Sequence, residues 1–106
     1  MACEIIWSPA SRDDLHDIVR FIARDNPHRA ESFGYELMRR TDILQQHPEA
    51  GRIVPEYRNP ELREIIYRPY RIVYRLDIDR KLIEIARVWH AARGTPLASV
   101  PRSSGL

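Results

Sequence analysis

Cysteine, glycine and lysine are all scarce in this sequence of 106 residues, with one, four and one copies respectively. A lone cysteine, Cys3, excludes an internal disulfide and makes a reducing cytoplasm the simplest compartment. Four glycines leave no Gly-rich phosphate loop. No Cys/His cluster has zinc spacing, so neither metal nor cofactor is expected. No run approaches the roughly 20 apolar residues of a membrane helix. The apolar stretch at the start, Ile5-Ile6-Trp7, is too short for a signal peptide and lacks a basic flank. Hydrophobic residues at 43% and charged residues at 30% describe neither a disordered nor a fibrous chain. The length suits one domain, expected over 1–94, with 95–106 as a flexible Pro/Ser/Gly-rich tail.

Charge is plentiful and unevenly spread. The net charge is +2, yet residues 1–50 carry −3 and residues 51–106 carry +5. The basic half favours an anionic partner, either an acidic peptide or a nucleic acid. Sixteen of the seventeen basic residues are arginine. A guanidinium is a permanent planar fork for carboxylate or phosphate, and a poor general base. Arginine codon preference accounts equally well for that ratio, but not for the asymmetry between halves.

Periodicity supplies the elements. Glu4 to Trp7 reads as a strand. Ser8-Pro9 is an N-cap with proline at the first helical position, and Ser11-Arg12-Asp13-Asp14 offers a second possible start. Leu15, Ile18, Val19 and Ile22 make one apolar helical stripe. Asp13, Asp14 and Asp17 crowd its early turns, and Arg20 and Arg24 its end, as the helix dipole prefers. Asn26-Pro27 opens a second helix with the stripe Ala30, Phe33, Gly34, Leu37, Thr41, Leu44. Gly34 in mid-helix costs roughly 1 kcal/mol against alanine, which a close helix crossing would offset. His47-Pro48 ends that helix, and a loop runs to Glu61, within which Arg52-Ile53-Val54 has strand character. Strands follow at Leu62–Tyr67, Tyr70–Asp77 and Leu82–Trp89, joined by short turns. In the middle strand Tyr70, Ile72, Tyr74 and Leu76 share one face and Arg71, Val73, Arg75 and Asp77 the other. The expected architecture is α+β, in the order β-α-α-β-β-β, with an antiparallel sheet packed under a helical hairpin.

Five segments then resemble, in order, the RelE/ParE superfamily of toxins from type II toxin–antitoxin modules. They are Trp7-Ser8-Pro9-Ala10-Ser11-Arg12-Asp13-Asp14-Leu15, His47-Pro48-Glu49-Ala50-Gly51-Arg52, Leu62-Arg63-Glu64, Pro69-Tyr70-Arg71-Ile72-Val73-Tyr74-Arg75 and Ile85-Ala86-Arg87-Val88-Trp89-His90-Ala91-Ala92-Arg93. The resemblance spans roughly residues 4–93, and the opening and closing blocks are the more ParE-like. It implies the same element order as the periodicity.

What the resemblance implies for function divides in two. ParE-like members poison DNA gyrase, block replication and stabilise plasmids without being nucleases. RelE-like members cleave mRNA in the ribosome. The first reading places the target surface on Arg87, Trp89, His90 and Arg93. The alternative, a metal-independent endoribonuclease, needs a base, an acid and a cation on the phosphate. Lysine-based versions of that site find only Lys81, in a predicted turn. The version built on Glu, Arg and His matches Arg71 and His90, with Glu56 or Glu61 as the carboxylate, although Ala91 follows His90 where that subgroup has an aromatic residue. The plainer readings are a structural His90, core tyrosines at 70 and 74, and a solvated or partner-paired Arg71 and Arg75. His16 and His28 fall on polar helix surfaces.

The resemblance also implies a cognate antitoxin whose C-terminal segment wraps the toxin. An acidic segment would pair with Arg63, Arg71, Arg75 and Arg87, and with the outside of the helical hairpin. Operator DNA would be reached only through the antitoxin, and no membrane partner is implied.

Overall fold

The computed structural model describes residues 2–93; the expected tail at 95–106 lies outside the described residues. The chain runs β1 (Glu4–Trp7), α1 (Pro9–Ala23), α2 (Pro27–Asp42), a 3-10 turn (Ile43–Gln45), β2 (Arg52–Ile53), β3 (Leu62–Tyr67), β4 (Tyr70–Asp77), β5 (Leu82–His90) and a last 3-10 turn (Ala91–Arg93).

Ser8, not Ser11, caps α1. Its hydroxyl accepts from the Ser11 N–H at 3.1 Å and donates to the Ala86 carbonyl at 3.0 Å, fixing the helix start to β5. Asn26 caps α2 by accepting from the Arg29 N–H at 3.0 Å. Both helices carry proline just after the cap, where no N–H is needed. A start at Pro9 puts Asp13 and Asp14 in the second turn of α1 and leaves its first turn without acid. The α-helical part of α2 ends at Asp42, sooner than His47-Pro48 suggests, and the 3-10 turn then seats Leu44 in the core. Gly34 sits at the helix crossing, where a Cβ would lie 3.4 Å from Val19.

The sheet has five strands in the order β1-β5-β4-β3-β2. The expected meander β3-β4-β5 is antiparallel, and Arg52–Ile53 pairs antiparallel with β3. One expectation needs correction. β1 pairs parallel with β5, Ile5 opposite Ile83, so the sheet is mixed rather than antiparallel. Hairpin turns dictate antiparallel neighbours, but a strand joined to its neighbour through two helices and three strands is free to run either way.

The helical hairpin covers one sheet face. Phe33, Leu37 and Leu44 meet Ile72, Tyr74, Leu76, Ile83, Ile85 and Val88 there, flanked by the half-buried stripe Leu15, Ile18, Val19 and Ile22. Each fully buried aliphatic side chain contributes about 1.5–3 kcal/mol. On the other face a smaller core of Val54, Leu62 and Val73, with Tyr57 against it, holds down the loop after β2.

The loop before β2 is pinned as well. The Tyr74 hydroxyl donates to the Pro48 carbonyl at 2.7 Å and accepts from the Gly51 N–H at 3.0 Å. A Cβ on Gly51 would lie 2.7 Å from both the Glu64 carbonyl oxygen and the Tyr74 ring, so only glycine fits.

A bulge sets the last strand's orientation. Val73 pairs with Arg87 but Tyr74 with Ile85, leaving Ala86 as an extra residue. Inward positions therefore pass from Ile83 and Ile85 to Val88 and His90, while Arg87 and Trp89 join the opposite face.

Candidate functional site

The residues singled out from sequence fall into three places. The first lies on the sheet face away from the helices. β4 and β3 pair Arg71 with Ile66 and Val73 with Glu64, so Arg71 and Glu64 share that face. The Arg71 Nε donates to Glu64 at 2.6 Å, and its two terminal nitrogens donate to both oxygens of Glu56 at 2.7 and 2.8 Å. Glu64 also accepts from the Arg52 Nε at 2.6 Å. The Glu64 side chain is 0% exposed and that of Arg71 10%. The hydrogen bonds to Glu56 and Glu64 hold the guanidinium charged well above its ordinary range, burial opposing them. An open groove of about 600 Å³ beside this cluster is lined by Arg52, Pro55, Glu56, Ile66, Arg68 and Arg71, among others.

The second place is the free end of β5. β1 stops opposite Ile85, so beyond that point β5 has no strand on its outer side among the described residues. Asp14 of α1 takes the neighbour's role. Its carboxylate accepts from the Val88 N–H at 2.9 Å and from the Arg87 Nε and a terminal nitrogen, each at 2.7 Å. Both side chains are mostly buried, and the hydrogen bond to Asp14 raises the Arg87 pKa. The Arg87 guanidinium carbon lies 5.2 Å from the Trp89 ring centre and that of Arg93 lies 5.8 Å from it, within cation–π range.

The third place is under the helices. His90 pairs with Tyr70, and their rings meet edge to face at 5.2 Å. The His90 Nδ1 accepts from the Ala92 N–H at 3.0 Å. The groove there, about 470 Å³, is lined by Asp14, Asp17, Ile18, Phe21, Tyr70, Val88, His90 and Arg93.

Glu56 and Arg71 thus come together as the alternative site requires, but His90 lies on the other sheet face. Of the expected target surface, Arg87, Trp89 and Arg93 converge, while His90 meets only Arg93 of these, in the groove beneath α1. The expectation of outward guanidinium groups at Arg71 and Arg87 is corrected, since both are held by carboxylates of the chain itself. Arg63 is also largely enclosed, donating to the Pro60 and Gly51 carbonyls at 2.9 and 3.0 Å. Arg75 is half-buried, on the same face as Arg71. Glu61 caps nothing in this cluster; its N–H donates to Asn59 at the loop's end. Tyr74 is fully buried and Tyr70 packs against Phe33, as core residues.

Two residues were not anticipated from the sequence. Glu64 entered only within the Leu62-Arg63-Glu64 segment of the resemblance, with no role given to its carboxylate. Asp14 read as a helix-dipole charge. Among the described residues no group of His, Cys, Asp and Glu could hold a metal ion, and no helix is long and apolar enough to cross a membrane.

Comparison with known proteins follows the same outline. A family model described as the ParE toxin of the type II toxin–antitoxin system parDE matches residues 5–94. A search of curated proteins finds no match. A chain of the chromosomal ParDE toxin–antitoxin system from P. aeruginosa superposes with a TM-score of 0.69 at 22% identity, covering 84% of this chain and 96% of that one. A chain of the RelBE2 toxin–antitoxin complex from Mycobacterium tuberculosis gives 0.57 at 19% identity, covering 85% and 99%. Both likenesses concern the fold.

Proposed function

Because the chain belongs to the ParE toxin family of type II toxin–antitoxin systems, we propose that it arrests growth by binding DNA gyrase rather than by cutting RNA, and that a cognate antitoxin silences it. The observation that carries this reading is the separation of Arg71 from His90 by the thickness of the sheet. General acid–base cleavage needs its proton donor and its phosphate-binding cation around one scissile bond. Here the cation is engaged by Glu56 and Glu64, and the imidazole sits beneath α1.

The proposed target surface is the Arg87–Trp89–Arg93 cluster at the end of β5, an aromatic ring flanked by two guanidinium groups. Such a ring supplies a large apolar contact, and the arginines supply orientation. His90 lies at its margin, sharing the groove beneath α1 with Arg93. Gyrase as the target rests on family membership. The antitoxin as partner is supported by the two similar structures, both from toxin–antitoxin systems.

The test is to purify the chain free of antitoxin and run two assays together: supercoiling by purified gyrase, and mRNA integrity in a translating extract. Blocked supercoiling with intact message, relieved by Trp89→Ala, is the expected result. Codon-phased cleavage that disappears in His90→Ala would assign the protein to the RelE-like ribonucleases instead.

A further inference from the structure

One rung of the sheet is aromatic across three strands. Tyr67 of β3 pairs with Tyr70 of β4, and Tyr70 with His90 of β5. Phe33 of α2 lies against the first two, its ring centre 5.5 Å from that of Tyr67 and 5.4 Å from that of Tyr70. Two arginines of α2 rest on these rings. The Arg29 guanidinium carbon is 5.8 Å from the Phe33 ring centre, and that of Arg40 is 4.9 Å from the Tyr67 ring centre. Arg29, Phe33, Glu36 and Arg40 follow one another at helical spacing, along one flank of the helix. Arg39 joins them around an open groove of about 360 Å³ lined by Glu36, Arg39, Arg40 and Tyr67. Arg68 comes next to Tyr67 in the turn to β4.

Arg29, Arg39, Arg40 and Arg68 are all exposed, and none has an ion pair among the described residues. That sets them apart from Arg71 and Arg87, which carboxylates of the chain hold. Glu36, the acid in the groove, accepts from the Tyr67 hydroxyl at 2.7 Å. A guanidinium held by a ring face uses no N–H for the contact, so its fork stays open to an anion. The kind of anion follows from the lining. Protein interfaces centre on a desolvated apolar patch, and no aliphatic side chain lines this groove. Nucleic-acid interfaces are polar and strongly basic. Arg29 and Arg40 stand about 16 Å apart along the helix axis. A duplex carries one charge per about 1.7 Å of its axis, so arginines spread over that length each find a phosphate. The flank also adjoins the proposed target surface: Arg93, which lies over Trp89 there, shares its groove with Tyr70 and His90 of the aromatic rung.

We propose that this flank binds the phosphate backbone of double-stranded DNA through Arg29, Arg39, Arg40 and Arg68, so that a toxin seated on gyrase also grips the duplex the enzyme holds. Contact with DNA is then direct, beyond any made through the antitoxin. The choice of duplex rests on the gyrase reading, and the test separates the two. The full chain, free of antitoxin, is titrated into a labelled duplex of arbitrary sequence and followed by fluorescence anisotropy, with supercoiling by gyrase assayed in parallel. Four phosphate contacts give a slope of about −3.6 in log affinity against log salt, a loss of roughly 150-fold between about 50 and 200 mM. Phosphates carry no sequence information, so a second duplex should bind alike. Arg39→Gln combined with Arg40→Gln should bring the slope to about −1.8 and weaken binding at least tenfold at low salt. Arg68→Gln alone, in a turn, should bring it to about −2.7 and serves if the double variant fails to fold. Arg12→Gln combined with Arg80→Gln removes the same charge at exposed positions elsewhere and should leave the slope within about 0.5 of the parent. An equal loss in that control would show net charge alone at work and overturn the surface. No duplex binding at low salt would overturn it too, and gyrase inhibition by the same sample would leave the gyrase reading standing. Stronger, arginine-dependent binding of labelled polyglutamate would assign the flank to an acidic protein, and of single-stranded RNA to RNA; either would overturn the proposal. Arginine-dependent duplex binding by a chain that never inhibits gyrase would support the surface and remove gyrase as the target.

Discussion

Arg71→Met offers the sharpest separation of structure from chemistry. The substitution keeps most of the side-chain volume and deletes the fork that holds Glu56 and Glu64. Glu64, wholly buried, would keep only Arg52, whose side chain is 58% exposed and so shares its charge with solvent. Breaking one side of a buried ion pair costs about 3–5 kcal/mol. The remaining Arg52 contact argues for the lower end, about 3 kcal/mol. In a domain of this size that is a fall in Tm of roughly 12–24 °C. Urea denaturation followed by circular dichroism at 222 nm would measure it. Adding Glu64→Gln should recover part of the loss, because the stranded charge disappears even though hydrogen bonds are still missing. A loss below about 1 kcal/mol for Arg71→Met, accompanied by lost toxicity, would refute the argument. Arg71 would then be free for work on a partner, and the cluster would be a site rather than a clamp.

Other expectations follow from single contacts. Gly51→Ala should lose about 2 kcal/mol or more, since its Cβ meets backbone and a buried ring at 2.7 Å; a stability equal to the parent in urea would show that the loop moves freely. Gly34→Ala should gain about 0.5–1 kcal/mol, because helix propensity improves and the nearest atom, on Val19, is 3.4 Å away; a loss would mean the helices cannot accommodate one methyl group. Burial raises the phenol pKa of Tyr57, Tyr67, Tyr70 and Tyr74, so the unfolded chain releases those protons first as pH rises. Their contribution is therefore complete below about pH 10 and is lost as pH climbs through the higher folded values. Urea midpoints that stay flat to about pH 11 would contradict this, and Tyr74→Phe should make the decline shallower.

The sequence carried the local architecture well and the spatial pairings poorly. The stripe Ala30, Phe33, Leu37, Thr41 was legible because the helical period is written into one segment, and all four are buried. The alternation Tyr70, Ile72, Tyr74, Leu76 was legible for the same reason. The direction of β1 was not, since a period of two is the same read up or down the strand. Nor was the fate of Arg87. Its partner Asp14 is 73 residues away, and the pairing depends on where β1 happens to stop. Arg71 and Arg75 share a face as expected, but the pattern says nothing about which carboxylates the loop after β2 carries into the same space. The candidate site divides along that line: residue types and faces could be read, whereas which cations would be spoken for could not.

Ala86 shows how little separates the two surfaces of this molecule. One residue with no opposite number turns the strand's last four positions over, sending the indole to one side and the imidazole to the other. Pairing Ala86 with Val73 in an unbroken ladder would exchange them, drawing Arg87 and Trp89 beneath the helices and turning Val88 and His90 out. The same residues closed into a regular ladder would thus present unlike chemistry from the same scaffold.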